Sequence, residues 1–403
     1  MKRWKKLFLA LLVLVLLSQI PFAYRRYKLG RLHATIQQVN SQRQPKEESP
    51  FSEYTGVMHV HSFLGGHSSG NFEEIIAAAQ SNQLHFVVMT EHPSKNFNTA
   101  EMTLKGPHGG VLFINGNEVR TRDGDRLLLI PGDEHAATDS ERSTQEVLSR
   151  RSSGLALVAY PGEFRSWQAT GYSGVEVYNV YTNALQINPL LMFFDGLWSY
   201  RSYPDLLFAN FYQRPDENLQ KWEDALKTTG GKAVVTAGND AHANVGFNLK
   251  NESGKPLFGL QLDPYERSFR LVRLHVLLRN GEQLDAKSLM ASIVAGHCFI
   301  GFDLFGDTSG FSFSASNGVE DKILGDEISL QKEVKLRVNT PIAGPGRIVL
   351  LKDGIKIRDE YGAGKTEYVV TEKGSYRVEV YLPQLGKPVG DQPWIISNPI
   401  YVR

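Results

Sequence analysis

The eleven histidines of this sequence are unevenly spread: His59, His61 and His67 fall within nine positions, in Met58-His-Val-His-Ser-Phe-Leu-Gly-Gly-His-Ser-Ser-Gly70. The run before them, Tyr54 to Val60, alternates as a strand does, and in a strand residues i and i+2 leave from one face. His59 and His61 then point the same way, and two imidazoles side by side make half of a metal site. Gly65, Gly66 and Gly70 permit a sharp backbone turn that can return His67 to the same mouth. A lone His-x-His also describes an ordinary surface pair, so the assignment depends on what the rest of the chain brings to it.

The elements that follow supply the rest. Asn71 to Asn82 reads as a helix, with Asn71 as its cap and two acids in its first turn. His85-Phe-Val-Val-Met-Thr90 is an apolar β-type run that ends in Glu91-His92. Val111-Leu-Phe-Ile leads to Gly116-Asn-Glu118, Leu155-Ala-Leu-Val-Ala to Tyr160-Pro161, and Ala233-Val-Val-Thr-Ala to Gly238-Asn-Asp240-Ala-His242. Short apolar strands separated by helical stretches such as Ser140 to Arg151 predict strand–helix repeats around a buried parallel sheet. In a barrel of that kind the polar residues at the carboxyl ends of strands gather at one mouth. Any single one of them reads equally well as a cap or a turn former. Five histidines and at least two carboxylates at one strand terminus point to metal, and imidazole with carboxylate but no thiolate suits zinc, manganese or iron. Ions placed close together can share a bridging carboxylate and generate hydroxide from water near neutral pH.

These motifs resemble the PHP (polymerase and histidinol phosphatase) superfamily of metal-dependent phosphoesterases. The similarity lies in His59-Val-His61 with His67 after it, Thr90-Glu-His92 for the family's Thr-Asp-His, Gly116-Asn-Glu118, and Gly238-Asn-Asp-Ala-His242 for Gly-Ser-Asp-Ala-His. It covers residues 53–312 and implies a distorted (β/α)7 barrel with metals at the carboxyl end of its strands. Carried over, it implies one metal on His59, His61, Glu118 and Asp240 and another on His67, His92 and His242, with Glu118 bridging. The family's Gly-His pair is Gly124-Asp125 here, and its His-Pro pair is Tyr160-Pro161. Both differences fall on one metal position, so about two divalent metal ions per chain are expected. Glu91 and Asp125 are secondary ligand candidates, and His135 is a weaker replacement. No catalytic side chain is assigned firmly, although Arg120, close in sequence to Glu118, could clamp a substrate, Tyr160 at its strand end could reach the mouth, and Arg122 shares the turn with Arg120. His85, His108, His275 and His297 fit no motif and read as structural or exposed. Cys298 reads as a small core residue. Gly174 to Asn179 reads as a further strand, with Glu176 near the barrel and Asn179 packing along the strand, the alternative being that Asn179 supports the ligands from behind.

Before this body, a basic start, Met1-Lys-Arg-Trp-Lys-Lys6, precedes an apolar run from Leu7 to Leu17 that continues with interruptions to Ala23. Pro21-Phe-Ala23 makes a poor cleavage site, and Arg25, Arg26 and Lys28 suit a membrane border. Residues 1–30 are therefore expected to be an uncleaved single-pass anchor in the cell membrane with the body outside the cytoplasm, the alternative being export after signal cleavage. Residues 31–52 read as a polar tether. Residues 183–227, rich in aromatics, read as helical packing over the barrel or as a lid on an apolar pocket. From residue 313 alternating strands and the Asp353-Gly354 hairpin signal predict an all-β sandwich to residue 403, and the tail from Pro393 resembles that of the CehA/McbA-type branch. With 22 % charged and 41 % apolar residues and a net charge of +1, the composition favours a globular protein with no nucleic-acid partner. The single cysteine excludes an internal disulfide. The function expected is a membrane-anchored hydrolase that uses metal-activated hydroxide on a small-molecule substrate. Phosphoester is the first choice, with a carbamate, ester or amide, or a catalytically weak scaffold role in the envelope, as the alternatives. Oligomeric state is left open.

Overall fold

The amino-terminal helix α1 (Lys2–Ser41) is apolar on all sides over its first half, and it is long and apolar enough to cross a membrane. It runs on through the stretch expected to be a tether. Leu29, Leu32, Ile36 and Val39 recur every three or four residues and are buried on the body, so one helical stripe docks while the glutamines between them stay outside. Arg43 pairs with Asp307 just past its end. The computed structural model describes residues 2–151, 153–185, 187–228, 232–244, 246–250, 256–261 and 263–403.

The body is mixed α/β. One large sheet is centred on β1 (Phe51–Val60), which pairs in parallel with β2 (Phe86–Met89), and β2 in turn with β3 (Val111–Ile114). A second sheet of five strands runs in the order β4 (Asn117–Arg120), β5 (Arg126–Ile130), β6 (Leu155–Val158), β7 (Gly174–Asn179), β8 (Val234–Gly238). Its β6–β7–β8 portion is parallel, whereas β4–β5–β6 is antiparallel, so the all-parallel expectation holds only in part. Helix α2 (Phe72–Ser81) starts where the sequence places it, because Asn71 and Glu74 form a reciprocal capping box.

Among the described residues no continuous ladder closes these strands into the expected seven-stranded barrel. The two sheets meet through isolated parallel bridges, Val60 with Ala241 and Glu91 with Asn117. The reason lies in the backbone there: His59, Tyr160 and Asp240 have φ of 63°, 48° and 48°. Left-handed backbone in a non-glycine residue breaks strand geometry, so the chain leaves the ladder at these points.

Beside β1, on the other flank, come β9 (Arg273–Arg279) and β10 (Cys298–Gly301), both antiparallel. The carboxyl-terminal strands are β-rich as expected but form no isolated sandwich. Ser312–Ser316, Asp321–Ile323, Val334–Asn339 and Lys365–Val370 make a four-stranded sheet, whereas β11 (Pro393–Ser397) pairs with β10 and extends the large sheet. The cause is the sequence of β11, Pro-Trp-Ile-Ile-Ser, which is buried at every position and so needs cover on both faces.

Candidate metal centre

The strand-end segments that carry the donors are hydrogen-bonded to one another. His61 N donates to Ala241 O at 3.0 Å, Ala241 N to His59 O at 3.1 Å, and Asn239 N to Met58 O at 2.9 Å. Glu91 N donates to Gly116 O, and Glu118 N to Glu91 O at 3.2 Å. Main-chain pairing therefore fixes the residue-59 segment against the residue-240 segment, and the residue-91 segment against the residue-118 segment.

The side chains converge in two overlapping groups, His59–His61–Glu118–Asp240 and His61–His92–His242, whose donor atoms lie within 4.8 Å of one another in each. His59 Nε2 is 3.1 Å from Glu118 Oε2 and 3.5 Å from Asp240 Oδ1. His61 Nε2 is 3.4 Å from the same two oxygens, and His92 Nε2 is 3.7 Å from Glu118 Oε2. One carboxylate oxygen thus faces three imidazoles.

Electrostatics divide the histidines. Burial works against a charged His59, but Glu176, Asp240 and Glu118 outweigh it and hold the group well above its ordinary value. Burial would raise Glu118 and Asp240, yet the adjacent His59 and His61 hold both carboxyls below their usual range. His92 and His242, stacked on His61 with ring centroids 4.6 and 4.3 Å away, are driven down to about 4 by burial and then by that neighbour. Both are neutral at pH 7, the form that binds a cation.

An orienting layer stands behind these donors, and only part of it was visible in the sequence. Glu176 Oε1 and Oε2 lie 3.0 and 2.9 Å from His59 Nδ1. A carboxylate there accepts a hydrogen bond from Nδ1–H, which keeps the proton on that nitrogen and leaves the Nε2 lone pair free for a cation. Asn179, for which support of the ligands was the alternative to packing along the strand, donates to Glu176 Oε1 at 2.8 Å and to Asp240 Oδ2 at 3.2 Å. A side chain at position 238 would put its Cβ 1.9 Å from Glu176 Oε2, so Gly238 makes room for the carboxylate. The Tyr160 hydroxyl donates to Asp240 Oδ2 at 2.6 Å, and burial followed by the Asp240 field pushes its pKa further above its already high ordinary value. His242 Nδ1 faces its own neighbour's carbonyl, Asp240 O, at 2.9 Å, which leaves Nε2 as the donor.

Comparison with family models and with curated proteins finds no match. The chemistry of the site therefore rests on its geometry.

Four candidates stand apart from the two groups. His67 is exposed at the rim, its ring 4.9 Å from that of His92. Glu91 is fully buried and accepts from Ser62 N, Ser62 Oγ at 2.6 Å and Thr103 Oγ1 at 2.8 Å, so its oxygens hold the turn after β1. Asp125 accepts from Thr144 Oγ1 and Arg165 N, both at 2.7 Å. His135 is exposed and joins neither group. Arg126, not singled out in the sequence, does enter the site: its guanidinium lies 3.5 Å from Glu118 Oε1 and 4.7 Å above the Tyr160 ring. Its signal was a hairpin register, since Arg126 opposes Arg120 across β4–β5.

The donors fit a divalent cation on one further observation. Both ring nitrogens of His61, and Asp240 Oδ1, are buried without a hydrogen-bond partner. An unpartnered buried polar group costs about 1–3 kcal/mol. His61 Nε2 stands 3.4 Å from each of the two carboxylate oxygens, Glu118 Oε2 and Asp240 Oδ1, close enough for one cation to be shared among them.

Proposed function

We propose that this chain is a membrane-anchored, metal-dependent hydrolase of the PHP type, acting on phosphoesters. The observation that carries the reading is the junction of two imidazole–carboxylate donor groups with a cationic cavity. The cavity has a volume of about 510 Å³; His92, Glu118, Asp240 and His242 lie on one side, and Arg126, Arg120 and Lys95 contribute cations. His59, His61, Glu118 and Asp240 would hold one metal ion, and His61, His92 and His242 its neighbour, with His67 at the rim. When bound, such ions activate water as a nucleophile near neutral pH and offset charge on phosphoryl oxygens.

The remaining work falls to the chain. Glu176 keeps the His59 proton on Nδ1, and Tyr160 with Asn179 holds Asp240 Oδ2, so both donors are fixed before substrate arrives. Arg126 is braced by Glu118 on one side and Tyr160 on the other, with a fork suited to a phosphate's oxygens. Arg120 and Lys95 add positive charge farther out, which concentrates anions in the cleft. Tyr160 is a poor proton donor here, because its proton is committed to Asp240. Among the described residues, none of the 183–227 stretch lines this cavity, although Tyr181, just before it, does. The cations Lys95, Arg120 and Arg126 in the lining favour a phosphorylated substrate.

The test is metal content by elemental analysis of the full chain in detergent, with turnover of p-nitrophenyl phosphate, a phosphodiester and a carboxylate ester by wild type and His59→Ala. Bound metal with preferred phosphoester turnover, lost in the variant, is expected. Chain free of metal after purification in zinc or manganese would end the proposal.

A further inference from the structure

Helix α3 (Pro189–Ser199) is built inside out. Leu190, Phe193 and Leu197, at i, i+3 and i+7, are 66, 60 and 67 % exposed, and Leu191 and Trp198 are exposed beside them. The residues it buries are Asp195 and Ser199. A helix on a water-facing surface shows the opposite arrangement, apolar inward and polar outward, and an exposed apolar patch of this kind marks an interaction surface.

What covers it is indicated by its neighbour. α3 packs on α1 where the apolar run of α1 ends: Phe22 stacks on Phe194 with centroids 4.8 Å apart, and Trp198 Nε1 donates to Gln19 Oε1 at 3.1 Å. Arg25, the first charge after that run, donates from Nε to buried Asp195 at 2.7 and 3.0 Å, and Arg26 to Ser202 Oγ at 3.0 Å. The exposed apolar face of α3 is thus continuous with that of α1, which exposes Leu7 to Leu17 and Ile20. Its level is that of the boundary between apolar and basic residues. Trp198 and exposed Lys28 and Arg201 are the residue types that settle at a lipid headgroup layer.

We propose that α3 is a second membrane-contacting element, which lies along the bilayer interface beside the anchor with Leu190, Phe193 and Leu197 among the acyl chains. This rests on the reading of α1 as an anchor. The partner is a lipid surface, and two attachments, one spanning and one lying flat, fix the orientation of the body on it.

The test uses the full chain in nanodiscs of phosphatidylcholine and phosphatidylglycerol. Cys298 is buried, so a maleimide fluorophore reports Phe193→Cys, with Leu12→Cys and Val319→Cys as references; Val319 is 86 % exposed. Label at 193 is expected to be quenched about twofold or more by spin-labelled lipid and shielded from aqueous iodide, as at 12 and unlike 319. If 193 behaves like 319 while 12 is quenched by lipid, the anchor stands and the proposal is overturned. If 12 also escapes lipid quenching, the anchor reading fails and takes the proposal with it. Shielding of 193 from iodide without lipid quenching would mean a protein covers α3, a second copy of this chain included, and would likewise overturn it.

Discussion

Replacing Glu176 by Gln tests the orienting layer without touching a proposed ligand. Two donors converge on this carboxylate: His59 Nδ1, within 3.0 Å of both oxygens, and Asn179 Nδ2, at 2.8 Å from Oε1. A carboxylate accepts from both, whereas an amide offers one acceptor and one donor. With the amide oxygen toward Asn179, its NH2 group faces His59 Nδ1, which must give up its proton to accept. The proton then moves to Nε2, the atom that lies 3.1 Å from Glu118, and closes that nitrogen to a cation. A lost charge-assisted bond is worth about 1.5–3 kcal/mol. Changes of this kind behind metal ligands cost about 10–100-fold in affinity, or roughly 1.4–2.7 kcal/mol. Competition of zinc against a chromophoric chelator would measure it, with circular dichroism as a check on folding. Gly238→Ala provides an independent route, because its Cβ would meet the Glu176 carboxylate and displace it. Affinity within twofold of wild type in both folded variants would refute the orienting role.

On the substrate side of the site, Arg126→Met should lower kcat/KM for a phosphomonoester by about 10-fold or more at unchanged metal content, with little effect on a carboxylate ester; equal losses on both would show that Arg126 acts only through Glu118. His275 is buried between Glu53, at 2.8 Å, and Asp303, at 3.2 Å. Burial opposes its charge, but Asp303 and Glu53 prevail and raise it from 6.5 to about 9. Its contribution is then full below pH 6.5 and disappears as pH rises through 9, on the order of 3 kcal/mol at most. Urea unfolding between pH 6 and 10 should show that slope in wild type and a flatter one in His275→Gln, and equal slopes would contradict it. Arg25→Ala leaves Asp195, 2 % exposed, without its cation. A loss of about 2 kcal/mol is expected, below the range for fully buried pairs because Arg25 is partly solvated. Asp195→Asn in the same chain should restore part of it in thermal unfolding.

How much of this could be read from the sequence depended on the range of the signal. Asn71 and Glu74 cap a helix with bonds three residues apart, a local signal that is found. His59 and His61 do meet, their ring centroids 5.1 Å apart, but β1 ends at Val60 and His59 is left-handed, so strand periodicity is not what aims them. The gathering of Glu118, His92, Asp240 and His242 followed from placing each at a strand end, which is a rule about folds. Glu176 was put near the barrel, but its bond to His59 spans over a hundred residues and leaves no local mark. Arg126 was missed for a different reason: it is only eight residues from Glu118, but the β4–β5 hairpin register has to be known before the two are seen to meet. Glu91 was a candidate by adjacency to His92, although successive residues at a strand end face opposite ways, and its oxygens are taken by Ser62 and Thr103. The tether was misjudged because Leu29, Leu32, Ile36 and Val39 are few among many polar residues, and what makes them a stripe is the surface they meet.

The seam between the two sheets has a consequence for when the protein is finished. Each donor group draws from both sides: His59, His61 and His92 extend from the β1–β2 side, Glu118, Asp240 and His242 from the five-stranded sheet. A cation held there would be the pin of a joint, and two of its six donors, Asp240 and His242, are missing until residue 242 has been made and folded back. Loading would therefore be a late step in the life of the chain. A chain that crosses a membrane unfolded would complete the joint only on the far side, so the ion it carries would reflect the supply in that compartment as much as the preference of its ligands.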